Sequence, residues 1–441
     1  MAGVGANVIR LLGVATPLYL SMAAASASAM VSSAALGRFQ TLALAAFAAA
    51  SAVYTPAVAA VTGAVRGSMP FIAEAREDPR RLRAALTHAL SLALAVGGLG
   101  AGAVLCVPVL AAAIGIPRGV LASLGALPAL LAAALAVAAV NAVAVSALVS
   151  LHRPRPVLFS GLAAAATSAA LALLLVPGAG PLPPLGAAGA GASALASQVV
   201  SAAIAGGGLR TELARRPSAC AGPRRRPELR EVARQARVGV PMAGTVLVKF
   251  GVLGLVTLAA SRISAAAGAA HSIATALVGI TFAVAVAIGQ ALIPLLSAPD
   301  ATAATRRTGM RAALGVATVA LVLFAAVLIC AGPPIAKMFS RDPLVLATLT
   351  RIMPIVAVSI VLDGVQAVFG FGLTALKRSA VSFTIFSVVY GALALVSLPA
   401  STRFGMSGVW VAIAGANALA AVGQYLAFSR AAVHVKKYRT R

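Results

Sequence analysis

Two charged residues of opposite sign, Lys249 and Asp363, lie inside long apolar stretches of this sequence. Asp363 is the one residue of the nine Asp and Glu that does so, because the other eight lie in loops or at the ends of apolar stretches. A charge at the centre of a membrane helix costs about 2.5–3.5 kcal/mol on insertion scales. Two retained opposite charges therefore indicate a functional pair that exchanges protons or contacts substrate, with a static salt bridge as the alternative.

The composition is that of a membrane protein. The mean hydropathy is +1.00, and 61% of the 441 residues are hydrophobic while 10% are charged. A membrane span needs about 20 apolar residues, and the apolar stretches predict twelve spans. Their approximate limits are 8–36, 42–65, 84–113, 120–150, 156–177, 185–208, 238–261, 268–296, 311–334, 345–376, 380–400 and 406–428. The Pro-rich and Gly-rich segment 177–184 separates the fifth span from the sixth.

The basic residues predict the orientation. If both termini are cytoplasmic, most of the 35 Lys and Arg residues fall in cytoplasmic loops, as the positive-inside rule requires. The net charge of +26 therefore reflects topology and argues against nucleic-acid binding. Ala27-Ser-Ala29 is similar to a signal-peptide cleavage site, but the apolar stretch continues past it, so we interpret it as an uncleaved first span. The expected location is the plasma (cytoplasmic) membrane, as a multi-pass protein.

The chain divides into two halves with the same plan. An offset of 224 residues places Pro17 on Pro241 and Arg38 on Arg262, and an offset of 225 places Asn141 on Gln366. The predicted fold class is an all-α polytopic membrane protein with two six-helix bundles related by pseudo-two-fold symmetry. The predicted domains are an N-terminal bundle (1–209), a basic cytoplasmic linker (210–237), a C-terminal bundle (238–428) and a basic cytoplasmic tail (429–441).

Parallel six-span repeats are typical of transporters whose two bundles rock around a central cavity. Pro17 and Pro241 lie inside the first span of each half, where each removes a backbone hydrogen bond and acts as a candidate hinge. Lys249 lies twelve residues from Arg237 and Asp363 fourteen residues from Lys377, or about 18 Å and 21 Å from the inner ends of their helices. Both charges therefore fall near mid-membrane depth and are predicted to face one cavity.

Several short motifs resemble the multidrug and toxic compound extrusion (MATE) family. They are Gly239-Val-Pro-Met-Ala243, Ala269-Ala-His-Ser-Ile273, Gly289-Gln-Ala-Leu-Ile-Pro294, Asp363-Gly-Val-Gln366, Gly372-Leu-Thr-Ala-Leu-Lys377, Leu36-Gly-Arg38 and Gly67-Ser-Met-Pro-Phe-Ile-Ala-Glu74. These motifs follow the order of the family and cover most of both halves of the chain. The resemblance implies an antiporter that exports organic molecules, usually cationic, in exchange for Na+ or H+.

The chain departs from the family at two carboxylate positions. Ser32 stands where members often carry an acidic residue before the Gly-Arg of the first helix, and Lys249 stands where many carry Glu in the seventh helix. Only the carboxylate of the tenth helix, Asp363, is present. One carboxylate that faces an ammonium group is a poor sodium site, so protons are the expected coupling ion and Na+ is the less favoured one. No metal site and no cofactor are predicted.

Other intramembrane polar residues are weaker candidates for a cavity. Gln366 lies three residues from Asp363 and near the same helix face. Asn141, its repeat counterpart, and Gln290 are candidate hydrogen-bonding groups, and Tyr390 is a candidate to stack on an aromatic substrate. Trp410 near the outer end of the last span is expected to anchor that helix at the membrane interface.

Two other functions, a lipid flippase and a membrane enzyme, fit the sequence less well than an exporter does. A lipid-linked saccharide flippase of the same superfamily also suits twelve spans, but a pyrophosphate headgroup calls for several mid-depth cations and the sequence offers only Lys249. A membrane enzyme is not expected, because the spans hold no cluster of carboxylates for Mg2+, no His-Glu-x-x-His and no Walker motif. The expected partners are a small organic substrate and the bilayer, and the expected state is a monomer.

Overall fold

The computed structural model describes residues 2–178, 183–216 and 227–434, and these residues form helices joined by short turns, with no strand among them. Parts of the predicted linker and tail, and the middle of the 177–184 segment, lie outside the described residues. The helices are α1 (Ala2–Phe39), α2 (Thr41–Arg66), α3 (Met69–Glu74), α4 (Pro79–Leu105), α5 (Val107–Ala113), α6 (Arg118–Leu124), α7 (Leu127–Ser150), α8 (Pro154–Leu175), α9 (Gly186–Ala214), α10 (Leu229–Ile263), α11 (Ala265–Leu296), α12 (Ala303–Cys330), α13 (Gly332–Phe339), α14 (Pro343–Ala375) and α15 (Ser379–His434).

Eleven of the described helical segments are long and apolar enough to cross a membrane. The last of them, Ser379–Ala432, has 54 residues, which is about twice the length that one crossing needs. Gly405 divides α15, because its φ of 59° and ψ of −149° are not helical. This residue separates the two final predicted spans, so the structure agrees with the predicted all-α protein of twelve spans.

Side-chain caps fix where four long helices begin. Asp78 accepts hydrogen bonds from the backbone N–H groups of Arg80 and Arg81 at the start of α4. Ser264 and Thr302 cap α11 and α12 in the same way, and Asp342 caps α14. Each cap satisfies backbone donors that the first helical turn leaves unpaired. These polar residues therefore set the register of the apolar helices that follow them.

The described chain forms two compact units. One unit comprises residues 16–246 and the other comprises residues 1–15 together with 247–441. In the first unit, α7 is the most buried helix and packs against α2, α4 and α9. In the second unit, α14 packs against α11, α12 and α15. The divisions at 15/16 and 246/247 differ from the predicted domain boundaries, because each cuts a continuous helix, α1 or α10.

The first turns of α10 belong to the unit of residues 16–246 because they dock on α2 and α4. Gln235 is buried and donates a hydrogen bond to the Ala85 carbonyl oxygen at 3.1 Å. The guanidinium of Arg234 lies 5.3 Å from the centre of the Phe71 ring. Residues 229–237, which the sequence analysis placed in the linker, are therefore helical, and Gln235 is buried among them.

The internal repeat is visible in local geometry. His152 and Lys377 are the two non-glycine residues with positive φ in the described chain, at 57° and 58°, and they stand 225 positions apart. Each ends a helix, and the next N–H group donates back to Leu148 or Leu373 at 2.8 Å in both cases. This is the hydrogen-bond pattern of a left-handed helix cap. The same turn therefore ends the fourth span and the tenth span.

Glycines allow α2 and α10 to touch through their backbones. Gly63 and Gly67 of α2 lie opposite Ala243 and Gly239 of α10, and a Cβ atom on Gly239 would overlap the carbonyl oxygen of Ala64. Small residues spaced four apart on both helices are a known means of close helix packing in membranes. The start of α10 is therefore fixed to α2 by contacts that leave no room for a methyl group at Gly239.

We predict that Gly239→Ala lowers the stability of the folded protein by about 1–3 kcal/mol, because overpacking against backbone atoms forces the helices apart. Gly251→Ala on the same helix is the matched control, since no atom lies within 4 Å of its added methyl group. The measurement is the temperature at which half of the detergent-solubilised protein stays monodisperse in size-exclusion chromatography. Equal temperatures for the two variants would contradict the prediction.

Candidate functional site

Asp363 is buried at the middle of α14, with 2% of its surface exposed. The residue that follows it, Gly364, is covered by Leu321 of α12, and a Cβ atom there would overlap that side chain. The glycine therefore lets α12 pack closely beside the carboxylate. This packing contributes to the burial of Asp363.

Lys249 of α10 is that partner. Its ammonium nitrogen Nζ lies 2.8 Å from Oδ1 and 2.7 Å from Oδ2 of Asp363. The Lys249 side chain is 17% exposed and the Asp363 side chain 3% exposed. These distances are those of strong, charge-assisted hydrogen bonds, and both carboxylate oxygens are engaged at once. The structure therefore brings together the two charged residues that the sequence analysis singled out.

A third group completes the site. The Lys249 Nζ atom lies 3.6 Å from the centre of the Phe282 ring, which belongs to α11. The face of an aromatic ring carries partial negative charge and attracts a cation, more strongly where water is excluded. The ammonium therefore sits between a carboxylate and a ring, and the site joins α10, α11 and α14. The sequence analysis missed Phe282, because periodicity alone does not show which helices are neighbours.

Ser359, Asp363 and Gln366 form a polar stripe on α14, at spacings of four and three residues that place them on one face. All three are buried. Two buried amides on the second part of α15, Asn417 and Gln424, lie seven residues apart and meet this stripe. Asn417 Nδ2 donates to Ser359 Oγ at 3.4 Å, and Gln366 Nε2 donates to Gln424 Oε1 at 3.2 Å. The stripe is therefore hydrogen-bonded on both sides of Asp363.

Tyr390 is buried and belongs to this network. Its hydroxyl donates to Asn417 Oδ1 at 2.8 Å, and its ring stacks on Phe386 with centroids 4.0 Å apart. It is close enough to Asp363 for the carboxylate to act on it electrostatically. The ring is therefore packed within the helices, and Tyr390 lines the polar side of the site. The sequence analysis did not name Asn417 and Gln424. Their spacing of seven residues within one apolar span was the signal that could have identified them.

Two predicted candidates lie away from the ion pair. Gln290 is buried in α11, eight residues beyond Phe282, or about 12 Å along the helix. Asn141 lies in the unit of residues 16–246, on α7, where its Nδ2 donates to Ser201 Oγ of α9 at 2.9 Å. This bond and the Gln366–Gln424 bond join equivalent helices of the two halves. The cavity role of Asn141 stays a prediction.

The candidate hinge prolines lie inside continuous helices. Pro17 is within α1 and Pro241 is within α10. The division between the compact units falls one residue before Pro17 in α1, and five residues after Pro241 in α10. A proline removes the hydrogen bond to the carbonyl four residues earlier and weakens the helix there. The hinge role of these prolines stays a prediction.

Trp410 is buried, which corrects the expectation of an interfacial anchor. Its side chain has 2% of its surface exposed and packs against His271 of α11, with ring centroids 5.5 Å apart. An interfacial tryptophan would expose its ring edge to the lipid headgroups. The residue instead fills the space between α11 and the last part of α15. His271 has no exposed surface and approaches Thr275 at 3.4 Å.

Known sequences and structures are similar to this chain over most of its length. Residues 241–400 match the MatE family model. The chain is 29% identical to a probable multidrug resistance protein NorM of Deinococcus radiodurans over 447 residues, which covers 96% of this chain and 95% of the relative. It is also 29% identical to a protein of the same name from Aromatoleum aromaticum over 376 residues, 81% of this chain and 78% of the relative.

Solved structures share the fold. The eukaryotic MATE transporter AtDTX14 is similar with a TM-score of 0.85 at 15% identity, over 98% of both chains. A MOP superfamily transporter from Pyrococcus furiosus, for which reverse polarity of the binding pocket suggests a different function, is similar with a TM-score of 0.83 at 16% identity, over 96% and 95%. The helical fold is thus shared with solved MATE transporters. The match of residues 241–400 to the MatE model and the NorM relatives agree with the family resemblance found in the sequence, and they support a multi-pass membrane transporter.

The structure predicts that removing one charge of the ion pair destabilises the protein more than removing both. We expect Lys249→Met to lower stability by about 3–5 kcal/mol at neutral pH, because it leaves a buried carboxylate without a partner. The double variant with Asp363→Asn should recover most of the loss. The cost of the single variant should shrink as pH falls, since a protonated carboxyl carries no charge. Thermal unfolding in detergent at several pH values measures these effects, and additive losses in the double variant would contradict the prediction.

Proposed function

We propose that this protein is a secondary active exporter of small organic molecules that works by alternating access and is driven by protons exchanged at the Lys249–Asp363 pair. The observation that carries the proposal is the buried ion pair itself, with Nζ 2.7 and 2.8 Å from the two carboxylate oxygens. The multidrug resistance named for the NorM relatives supports efflux of more than one compound. The antiporter mechanism follows the family resemblance in the sequence.

Protons suit this site better than sodium does. Hard cations prefer several oxygen ligands, whereas both oxygens of Asp363 already accept hydrogen bonds from Lys249. Among the described residues, no group of three or more His, Cys, Asp and Glu lies close enough together to hold a metal ion. The ammonium of Lys249 takes the place that a bound cation would have, as a cation tethered to the chain.

The proposed cycle uses the pair as a switch. Protonation of Asp363 removes its negative charge, so the attraction that holds Lys249 in place is lost. Loss of the proton restores the carboxylate, and the ion pair forms again. Export driven by proton entry requires that the proton and the substrate favour different states of this pair. Lys249 is the more exposed partner, at 17% against 3%, so substrate is expected to meet the site from the Lys249 side.

The proposed topology places both termini in the cytoplasm and the protein in the plasma membrane. Charge distribution supports it, because the sequence between α9 and α10 and the C-terminal tail are strongly basic. In this topology the C-terminal end of α14 and the start of α15 face the cytoplasm, together with Lys377 and Arg378 in the turn between them. The cation Lys249 and the Asp363 carboxylate then lie roughly midway across the bilayer.

We predict that Asp363→Asn abolishes transport driven by a proton gradient while the protein still inserts and folds, because Asn cannot take up or release a proton. The measurement is substrate movement in inside-out vesicles from an exporter-deficient host, with a panel of cationic, neutral and anionic compounds and with proton and sodium gradients in turn. Asp342→Asn is the matched control, since Asp342 lies at the exposed N-cap of the same helix and Asn also caps helices.

Retained proton-driven transport in Asp363→Asn would overturn the proposed coupling. Transport driven only by sodium would overturn the choice of ion. No transport of any compound in the panel would favour the lipid-linked saccharide flippase. The panel includes anions because reverse pocket polarity is described for the Pyrococcus furiosus neighbour, and because an ammonium group occupies a family carboxylate position in this chain.

We predict that a fluorescent protein fused after Arg441 fluoresces, whereas alkaline phosphatase at the same point is inactive, because a cytoplasmic C-terminus folds the first reporter and not the second. The reverse should hold for fusions truncated after Arg403, between the last two spans. Phosphatase activity after Arg441 would contradict the proposed orientation. An immunoblot of each fusion controls for expression.

A further inference from the structure

A cleft opens at the helix ends of the second compact unit, on the side that faces the cytoplasm in the proposed topology. Its volume of about 360 Å3 lies in the range of small-ligand sites, about 300–1,000 Å3. The lining residues come from the C-terminal end of α14, the turn after it, and both ends of α15. They are Leu373, Arg378, Val381, Ala427, Arg430 and Ala431. Four of these described residues are apolar, two are cations, and none is acidic.

The charged and apolar groups occupy different parts of the cleft. Arg378 and Arg430 are exposed, whereas Leu373 and Ala431 are buried. Val381 is 38% exposed beside them. The cleft therefore has an apolar floor and a cationic rim, and the two cations come from opposite ends of α15.

The equivalent turn of the first half contacts a carboxylate of the chain itself. Arg153 and Arg378 each follow the left-handed turn that the two halves share. Arg153 Nε lies 3.0 Å from Glu212 Oε2, near the end of α9, and the Glu212 side chain is 8% exposed. Glu212 also contacts Arg215 at 3.8 Å and Arg216 at 3.3 Å. One buried carboxylate thus neutralises a cluster of arginines in the first half.

The second half has no such carboxylate. No Asp or Glu follows Asp363 in the sequence, so neither α15 nor the tail supplies one from a side chain. The offset of 225 residues places Glu212 on Lys437, which has the opposite charge and lies outside the described residues. The cleft therefore gathers positive charge where the first half neutralises it, and an anion from outside the chain would restore the balance.

A phosphate group at a membrane surface suits this cleft. Guanidinium groups bind phosphate through paired, charge-assisted hydrogen bonds. Basic pockets between membrane helices on the cytoplasmic side bind lipid headgroups, and the anionic lipids of that leaflet give it a negative surface potential. The apolar floor favours a lipid over free phosphate, because inorganic phosphate has no apolar surface to bury there.

We propose that this cleft binds the headgroup of an anionic phospholipid. The phosphate lies between Arg378 and Arg430, and the first carbons of the acyl chains pack against Val381 and Ala427. Bound in this way, the lipid joins the start of α15 to its end and stabilises the second compact unit. The inference rests on the proposed topology for the choice of leaflet. Its failure would leave the proposed export in place, because neither arginine belongs to the ion-pair site.

The test is the stabilisation of the full-length protein by added lipid. The temperature at which half of the delipidated, detergent-solubilised protein stays monodisperse is measured against the concentration of phosphatidylglycerol, which gives an apparent dissociation constant. Phosphatidylcholine is the second arm, because it has the same phosphate and acyl chains but no net charge. Sodium phosphate is the third arm and supplies the phosphate without a lipid. We expect phosphatidylglycerol to bind the most tightly of the three.

Two variants remove the cations of the cleft. We expect Arg378→Gln and Arg430→Gln each to weaken phosphatidylglycerol binding about fivefold, and the double variant about thirtyfold, because each basic residue near an anionic lipid contributes a similar increment. Arg155→Gln is the matched control. It removes an exposed arginine from the start of α8, on the same side of the membrane in the proposed topology and outside the cleft.

A third variant supplies the carboxylate that the second half lacks. Ala427→Glu places it three residues before Arg430, within reach on the same helix. It should raise the stability of the lipid-free protein and abolish the effect of phosphatidylglycerol, whereas Ala427→Gln, of the same size without the charge, should do neither.

Equal lipid effects in wild type, the double arginine variant and Arg155→Gln would overturn the site. An equal rise in temperature with sodium phosphate would overturn the choice of a lipid. An equal rise with phosphatidylcholine would overturn the requirement for an anionic headgroup.

Discussion

The salt bridge between Lys249 and Asp363 is the interaction on which the rest of the second compact unit depends. Each charge alone is costly in an apolar bundle, and pairing lowers the cost of both. Its geometry requires three helices at fixed distances, because the ammonium contacts Asp363 on α14 and Phe282 on α11. The close approach of α12 at Gly364 follows from the same need for a dry carboxylate. Helix packing and charge therefore both determine the geometry of the site.

The two halves share a scaffold but not this chemistry. The turns at His152 and Lys377 are the same, and amide contacts join equivalent helices in both halves. At the repeat positions of Lys249 and Asp363, however, the N-terminal half has Ala25 and Ala138. One half therefore holds the charged pair, while the other keeps the helical frame without it.

Much of this could be predicted from the sequence, because a bilayer imposes strong rules. Hydropathy gave the twelve spans, and the rarity of mid-span charge singled out Lys249 and Asp363. Phe282 could not be found in the same way, since an apolar ring in an apolar helix carries no signal until its neighbours are known. The same reason explains the error at Trp410, whose burial depends on α11. The docking of residues 229–237 on α4 was hidden because a basic segment is typical of a linker.

Asp363 is the single carboxylate well inside a predicted span, and under the proposed function this limits the number of protons that carboxylates exchange in one transport cycle. At one proton per cycle, the pH difference alone can concentrate a neutral compound about tenfold for each pH unit across the membrane. A potential of 100 mV adds about 2.3 kcal/mol per charge moved. A carrier with two such carboxylates could square the ratio. Under the proposed exchange of one proton per molecule, one pH unit and 100 mV together therefore supply about 3.7 kcal/mol for each molecule exported.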